Sequence, residues 1–358
     1  MSDMNSIDLI RALSVARGVP GFEDEVVEVI RKHADPALGI WEDSLRNVYL
    51  KDRDQSEHLP VIQLDAHSDE VGFMVHSIRE NGTLKFAPLG GWVASNIPAH
   101  RVWVQTACGR YIPGITAAKP PHFMSEAEKR AMPEISDMSI DIGATSLEEA
   151  RDVFGIRVGA PVVPHVTFEY DEPHDLMFGK AFDNRLGCAA VLETMRRLKG
   201  EELQVRPVGA IASQEEVGTR GASVTARRVK PDIAIVFEGC PADDTVVPSA
   251  EVQTAIHRGP MLRHLDARMI TNPRYQRFTL DLAASLGIPC QEAVRTGGST
   301  NGAPIHLSNL GVPVIVIGFP VRYIHSHWGI ASLKDFEYGV ELACQVIRRL
   351  NRGIIESF

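Results

Sequence analysis

Hydrophobic and polar positions follow two different rhythms along this chain. The N-terminal end has helical spacing. Ser6 is placed to cap a helix reaching Ala16, with Gly18 and Pro20 ending it, and the amphipathic stretch FEDEVVEVIRKHA follows. PVIQLDAH is then a short apolar run of the kind found in a buried strand. From about Val71 to Val163 the rhythm becomes short strands broken by Gly and Pro: VGFMVHSI, TLKFAPLGG, HRVWVQT, RYIPGITAA and VVPHVTFEY. One polar helix, SEAEKRAM, interrupts them. Strands this short with frequent turn signals predict a small β-barrel or sandwich. After Lys180 a β-α-β rhythm returns. DNRLGCAAVLETMRRL and PRYQRFTLDLAASLG predict helices, the second ended by Gly287, while RPVGAIAS, PDIAIVFE and VPVIVIGF predict buried parallel strands. A last helix places Phe336, Val340, Ala343, Ile347 and Leu350 on one face. The economical architecture is one α/β domain made of residues 1–72 and 168–358, with a β-rich domain, 73–167, inserted into it.

Composition narrows the class. Of 358 residues, 44% are hydrophobic and 23% charged, which fits a globular chain and excludes a disordered or fibrous one. Lys and Arg number 37 against 46 Asp and Glu, a net charge of −9. That balance argues against nucleic acid or an anionic membrane as the main partner and suits a protein that collects divalent cations. Cys108, Cys188, Cys240, Cys290 and Cys344 are scattered and form no C-x-x-C pair, so reduced thiols are expected rather than a disulfide framework or zinc knuckle. MSDMNSIDLIRALS lacks the pattern of a secretory signal, and the apolar run Gly311–Val321 is too short to span a bilayer. A cytoplasmic protein is expected.

Four segments carry candidate chemistry, three of them at predicted strand ends, where open α/β sheets form their sites. DAHSDE offers His67 as a metal ligand, with Asp69 two residues on to hold the imidazole through its other nitrogen. Alone, this is an ordinary histidine at a strand end. In GKAFDNRLG, Asp183 stands just before a helix; it suits an N-cap, or a carboxylate turned outward to bridge two cations. ASQEEVGTRG places Glu215 and Glu216 directly after a buried strand. Alternation along an extended segment sends the two side chains different ways, so one can ligate metal while the other serves as general base. VRYIHSHWG offers His325 and His327, and PDIAIVFEG ends a strand in Glu238. The set His67, Asp183, Glu216, Glu238 and His325, with Glu215 spare, meets the need of two metals sharing one carboxylate, about five N and O donors at ~2.0–2.2 Å.

With these segments in hand, the chain resembles the tetrahedral aminopeptidases, the deblocking or glutamyl type of dinuclear metallopeptidase. DAHSDEVGF, GGW, IPGITAAKPPH, SIDIGATSLEEA, GKAFDNRLGC, SQEEVGTRGA, STNGAPIHLSNLGVP and RYIHS carry the likeness over nearly the whole length. The resemblance implies a phosphorylase/hydrolase-like three-layer α/β domain with a mainly parallel mixed sheet, and an inserted β-barrel-like (PDZ-like) domain used for assembly. It implies that His67 binds one metal, Asp183 bridges both, and Glu216 and His325 bind the second. Glu215 would be the general base and Asp69 would orient His67. Zinc is the implied metal, with cobalt or manganese as alternatives, and homo-oligomers range from dimers to dodecamers. Two residues depart from the family pattern. Glu238 stands where a shorter Asp is common, and is kept as a ligand; Asn301 replaces an Asp of the Gly-rich motif and is expected at the substrate site.

The reading is a metal-dependent aminopeptidase acting on the first peptide bond of short peptides. An acyl-amino-acid deacylase or dipeptidase of the same clan shares the metals and base and differs in the substrate pocket. A non-catalytic assembly or binding homologue is the rival of a different class. An endoglucanase has little support, because a glycosidase needs its own carboxylate pair and these carboxylates are taken by metal.

Overall fold

A computed structural model describes residues 5–358 of the chain. The chain divides into two compact units. One runs to Asp69 and then comprises Phe168–Ile324 and Gly329–Phe358; the other is Glu70–Thr167 with His325–Trp328. The division expected after residue 72 thus falls after Asp69, and the tetrapeptide 325–328, which carries no hydrophobic pattern of its own, groups with the inserted unit.

The first unit opens with helices α1 (Ser6–Val15) and α2 (Asp24–His33) and strands β1 (Leu38–Glu42), β2 (Val48–Asp52) and β3 (Val61–His67). The inserted unit holds β4 (Gly72–Ile78), β5 (Leu84–Leu89), β6 (Arg101–Gln105), β7 (Tyr111–Ala117), α3 (Glu126–Arg130), β8 (Ser139–Asp141) and β9 (Pro161–Pro164). The chain then returns through β10 (Glu169–Asp171), β11 (Leu176–Gly179), α4 (Phe182–Arg197), β12 (Arg206–Ala212), α5 (Arg220–Val229) and β13 (Ile233–Pro241). It ends with β14 (Met261–Leu265), α6 (Pro273–Leu286), β15 (Gln291–Val294), α7 (Gly302–His306), β16 (Val314–Val321), β17 (Gly329–Ala331), α8 (Leu333–Arg349) and α9 (Arg352–Glu356).

In the first unit, eight strands form one sheet in the order β1-β2-β12-β3-β13-β16-β14-β15. Its centre, β12-β3-β13-β16, is parallel. The period-2 geometry of a strand explains its apolar runs: Ile233, Ile235 and Phe237 face the core shared with α1, α2, α4, α6 and α8, whereas Ala234 and Val236 face α5 and α7. Both faces are covered, giving three layers. The expected face of α8 is buried in the same core. Gly287 ends α6 in the left-handed conformation, as expected. Ser6 is not the cap of α1. Asn5 takes that place and its side chain accepts from the Ile7 N–H, while the Ser6 hydroxyl donates to Glu337 at 2.6 Å.

The second unit is a closed antiparallel barrel, β4-β5-β8-β7-β6-β9, around Phe73, Val75, Leu84, Phe86, Val102, Val104, Ile140 and Val162. VVPHVTFEY, read as one strand, is two: β9 closes the barrel, and β10 joins a three-stranded sheet, β10-β11-β17, of the other unit. Within the barrel unit the buried His327 ring stacks on His100 at 4.0 Å and lies 5.0 Å from Trp92, which stacks on Phe73. No described helix is long and apolar enough to cross a membrane.

Candidate metal centre

Parallel pairing brings the chemistry to one edge. In the β12–β3 ladder Ala212 stands opposite His67, and the β13–β3 ladder runs to Val236 opposite Asp65. His67 and the turn after Ala212 therefore emerge together at neighbouring strand ends, with Glu238 level with them in β13; that strand does not end in Glu238, as the sequence suggested, but runs on to Pro241.

His67 is fully buried. Its Nδ1 lies 3.1 Å from the Asp69 carbonyl oxygen and 3.4 Å from Asp69 Oδ1. Its Nε2 is aimed at carboxylates: 3.1 Å from Asp183 Oδ1, 3.8 Å from Glu238 Oε1 and 3.9 Å from Glu215 Oε2. Donor atoms of His67, Asp183 and Glu238 lie within 4.8 Å of one another, as do those of Asp183 and Glu216. The Cys188 thiol donates to the His67 carbonyl, and the buried Arg185 guanidinium donates to the Ser68 carbonyl, so the loop after β3 is held on both sides.

Asp183 is not the N-cap of its helix. Asp183 and Asn184 have non-helical backbones joined by a cis peptide bond, and helical geometry starts after them. Asn184 Oδ1 accepts from the Gly187 N–H at 3.0 Å, which is the capping bond. Its amide also donates to the Phe237 carbonyl and to Glu238 Oε2. The capping duty thus falls one residue later, and the Asp183 carboxylate is directed at His67. Glycine is required opposite: a Cβ on Gly239 would stand 2.6 Å from Asp183 Cα.

Glu215 and Glu216 leave β12 in a turn and not in an extended segment. Gln214 has φ +54°, and the N–H groups of Gly218 and Thr219 both donate to the Glu215 carbonyl. The turn, rather than strand alternation, separates the two side chains. Asp69 holds them: its carboxylate accepts the Glu215 N–H at 2.9 Å and the Glu216 N–H at 3.0 Å. The carboxylate expected to orient His67 thus also accepts from two backbone N–H groups.

Burial drives the Glu215 carboxyl well above the usual range, and the negative charges of Glu238, Glu216 and Asp69 add to this against the pull of His67. Burial likewise raises Glu238, with Asp183 adding and His67 and Arg263 opposing. For His67, burial works against protonation, but its bonds to Asp183, Asp69 and Glu238 prevail and raise it. Four acidic side chains converging on one buried imidazole is a donor set that fits divalent cations, whose charge offsets the crowding.

The sequence singled out two further residues, Asn301 and His325. Asn301, expected at the substrate site, is fully buried, and its amide donates to Asp65 Oδ1 at 2.8 Å. An amide is suited there because a second carboxylate would meet Asp65, itself pushed up to about 7 by burial and, secondarily, by the Glu238 charge. His325 lies in the tetrapeptide of the barrel unit, with φ +57°, where a Cβ on Gly91 would come 3.2 Å from its Nδ1. Sequence reasoning missed Glu23, Asp65, Asn184 and Arg185. Asp65 alone carried a signal, as an acid inside an apolar strand.

Residues 47–342 match the family described as M42 glutamyl aminopeptidase. The chain is 33% identical over 351 residues to the glutamyl aminopeptidase of Lactococcus lactis subsp. cremoris, covering 97% of both chains. Among solved structures it is similar to the TET aminopeptidase of a marine sediment archaeon, Thaumarchaeota archaeon SCGC AB-539-E09, with 38% identity and TM-score 0.93 over 98% of this chain and 99% of that one. It is also similar to Pyrococcus horikoshii TET1 peptidase, described as assembling into a tetrahedron or a large octahedral shell, with 25% identity and TM-score 0.86 over 97% of this chain and 100% of that one.

Proposed function

From the premise that this chain belongs to the M42 glutamyl aminopeptidase family, we propose that it removes the N-terminal residue of short peptides through a dinuclear metal centre, with Glu215 as general base. The observation that carries this reading is the convergence of Asp183, Glu238 and Glu215 on Nε2 of buried His67, with Glu215 and Glu216 pinned by Asp69.

His67 and Glu238 are assigned to one ion, Asp183 to both, and Glu216 to the second; His325 is assigned to the second by its RYIHS motif. Zinc is the metal proposed, with cobalt and manganese as alternatives. Bound divalent ions supply Lewis acidity, lowering the pKa of a water and polarising the scissile carbonyl. Glu215 takes the proton of the attacking water and returns it to the leaving amine. Asp69 keeps the base in place without meeting the substrate.

The test is Glu215→Gln, which keeps the shape and removes the base. Turnover should fall by about 10²–10⁴ while metal content and folding stay near those of the parent. Retention of most turnover would overturn the assignment. Hydrolysis of free-amine peptides and inactivity on acetylated ones separate the aminopeptidase from a deacylase. Inactivity on every peptide after loading with zinc, cobalt and manganese would favour the non-catalytic homologue.

Assembly into homo-oligomers through the barrel unit is part of the proposal, with a dimer as minimum and a dodecamer as the larger form. It is supported by the assemblies described for Pyrococcus horikoshii TET1. Light scattering at micromolar concentration should give at least a dimer; a monomer would refute it.

A further inference from the structure

We propose that Glu23 is a positioning residue for Glu215: its buried carboxylate and that of Asp69 together hold the N–H groups of three consecutive residues, 214–216, and so fix where the base stands. This rests on the reading of Glu215 as general base.

Where the chain leaves β12, its N–H groups lose their ladder partners, and buried N–H groups must be accepted by something. Every one from 213 to 216 is accepted by a side chain from the N-terminal third of the chain. The Ser213 N–H donates to Asn47 Oδ1 at 2.9 Å and the Gln214 N–H to Glu23 Oε1 at 3.2 Å. The N–H groups of Glu215 and Glu216 donate to the two oxygens of Asp69. The turn does not specify itself, because Gln214 adopts a left-handed backbone that non-glycine residues seldom take. External acceptors must hold it.

Glu23 is suited to do so. It is completely buried at the start of α2, whose Val26, Val27 and Ile30 anchor the helix in the core. The same Oε1 accepts the Gly21 N–H at 2.8 Å, which locks the side chain. Its Oε2 is buried with no hydrogen-bond partner among the described residues. A buried carboxyl with one oxygen doubly used and the other unmatched is a poor device for stabilising α2; its geometry is explained by what Oε1 holds. Misplacing a catalytic group by about 1 Å costs on the order of 10² in rate, so loss of this bond should reach the chemistry without touching a metal ligand.

The experiment begins with the full-length, metal-free protein and reads hydrogen exchange by mass spectrometry in peptides covering residues 213–219. Glu23→Ala should speed exchange there, and Glu23→Gln, which keeps an acceptor oxygen, should not. Glu23→Asp, which retracts the acceptor by one methylene, should resemble Glu23→Ala and serves if Ala prevents folding. After metal loading, Ala or Asp should lower kcat by about 10- to 100-fold with KM and metal content unchanged, and Gln should restore kcat. The proposal is overturned if exchange over 213–219 is unaltered, if Gln is as damaging as Ala, or if kcat falls only in step with lost metal. Because exchange is read without metal or substrate, it is independent of Glu215→Gln: full turnover in that variant would refute the base while leaving the Glu23 result to stand or fall separately.

Discussion

Asp183 and Glu238 sit side by side and should differ sharply when changed. Asp183→Asn should abolish binding of both ions, because the proposed bridge serves both, and metal analysis after loading should approach zero. Glu238→Gln should weaken one ion much more than the other, and Glu238→Asp should be better tolerated; equal weakening of both ions by Gln would remove Glu238 from the ligand set. The Asn301–Asp65 pair supports a prediction with a definite pH sign. Asn301→Asp would bury a second carboxylate 2.8 Å from the first, and one of the two must then hold a proton. A carboxyl whose folded pKa is raised stabilises the fold while protonated, and that contribution is lost as pH rises through the folded value. Urea unfolding should therefore show a small penalty for Asn301→Asp near pH 5 and one of about 3–5 kcal/mol near pH 8. A penalty that does not grow with pH would contradict it.

At the scale of elements, the junction of β13 with α4 sets the geometry of the centre. The Cβ of a Gly239→Ala variant would meet Asp183 backbone atoms at under 3 Å, namely 2.6 Å and 2.8 Å, so Asp183 and its carboxylate must move. The expected outcome is metal affinity lowered at least tenfold by titration, with the far-UV spectrum unchanged. Much of this level is legible in the sequence. The apolar runs of β3, β12, β13 and β16 announce a sheet buried on both faces, and the spacing of Phe336, Val340, Ala343 and Ile347 announces α8. What escapes is whatever depends on residues distant along the chain. Asp183 looks like a cap because Asp before an apolar helix usually is one, and nothing local says that Asn184 takes that duty while reaching to Phe237 and Glu238. Strand β8, only Ser139–Asp141, is too short to show a period. Glu23 belongs to an acidic run, FEDE, that reads as the ordinary start of a helix. Its partner, Gln214, is 191 positions away.

For the whole molecule, the buried acids predict how stability depends on pH. Burial is the main cause that raises both Glu23, from 4.5 to about 7, and Asp65, from 3.8 to about 7. Folded-state values above the unfolded ones mean stability that is complete below about pH 4 for these groups and is lost as pH rises towards 7 and beyond. In chelator, the melting temperature should fall between pH 5 and pH 8 after the ordinary acid transition is passed. Loading with divalent metal should lift the curve most at the alkaline end, where the ligands are deprotonated. A metal-free protein whose stability climbs across that range would contradict the assignment. A different consequence follows from the tetrapeptide 325–328, which belongs to the barrel unit although the rest of that unit ends at Thr167. Domains generally fold in the order in which the ribosome releases them. Here the strands of the barrel are all synthesised long before His327 exists to stack on His100 and lie against Trp92. During synthesis those rings wait uncovered while most of the other unit is being made. A nascent chain arrested before residue 325 should therefore carry a barrel that opens and exchanges more readily than the same strands in the finished protein.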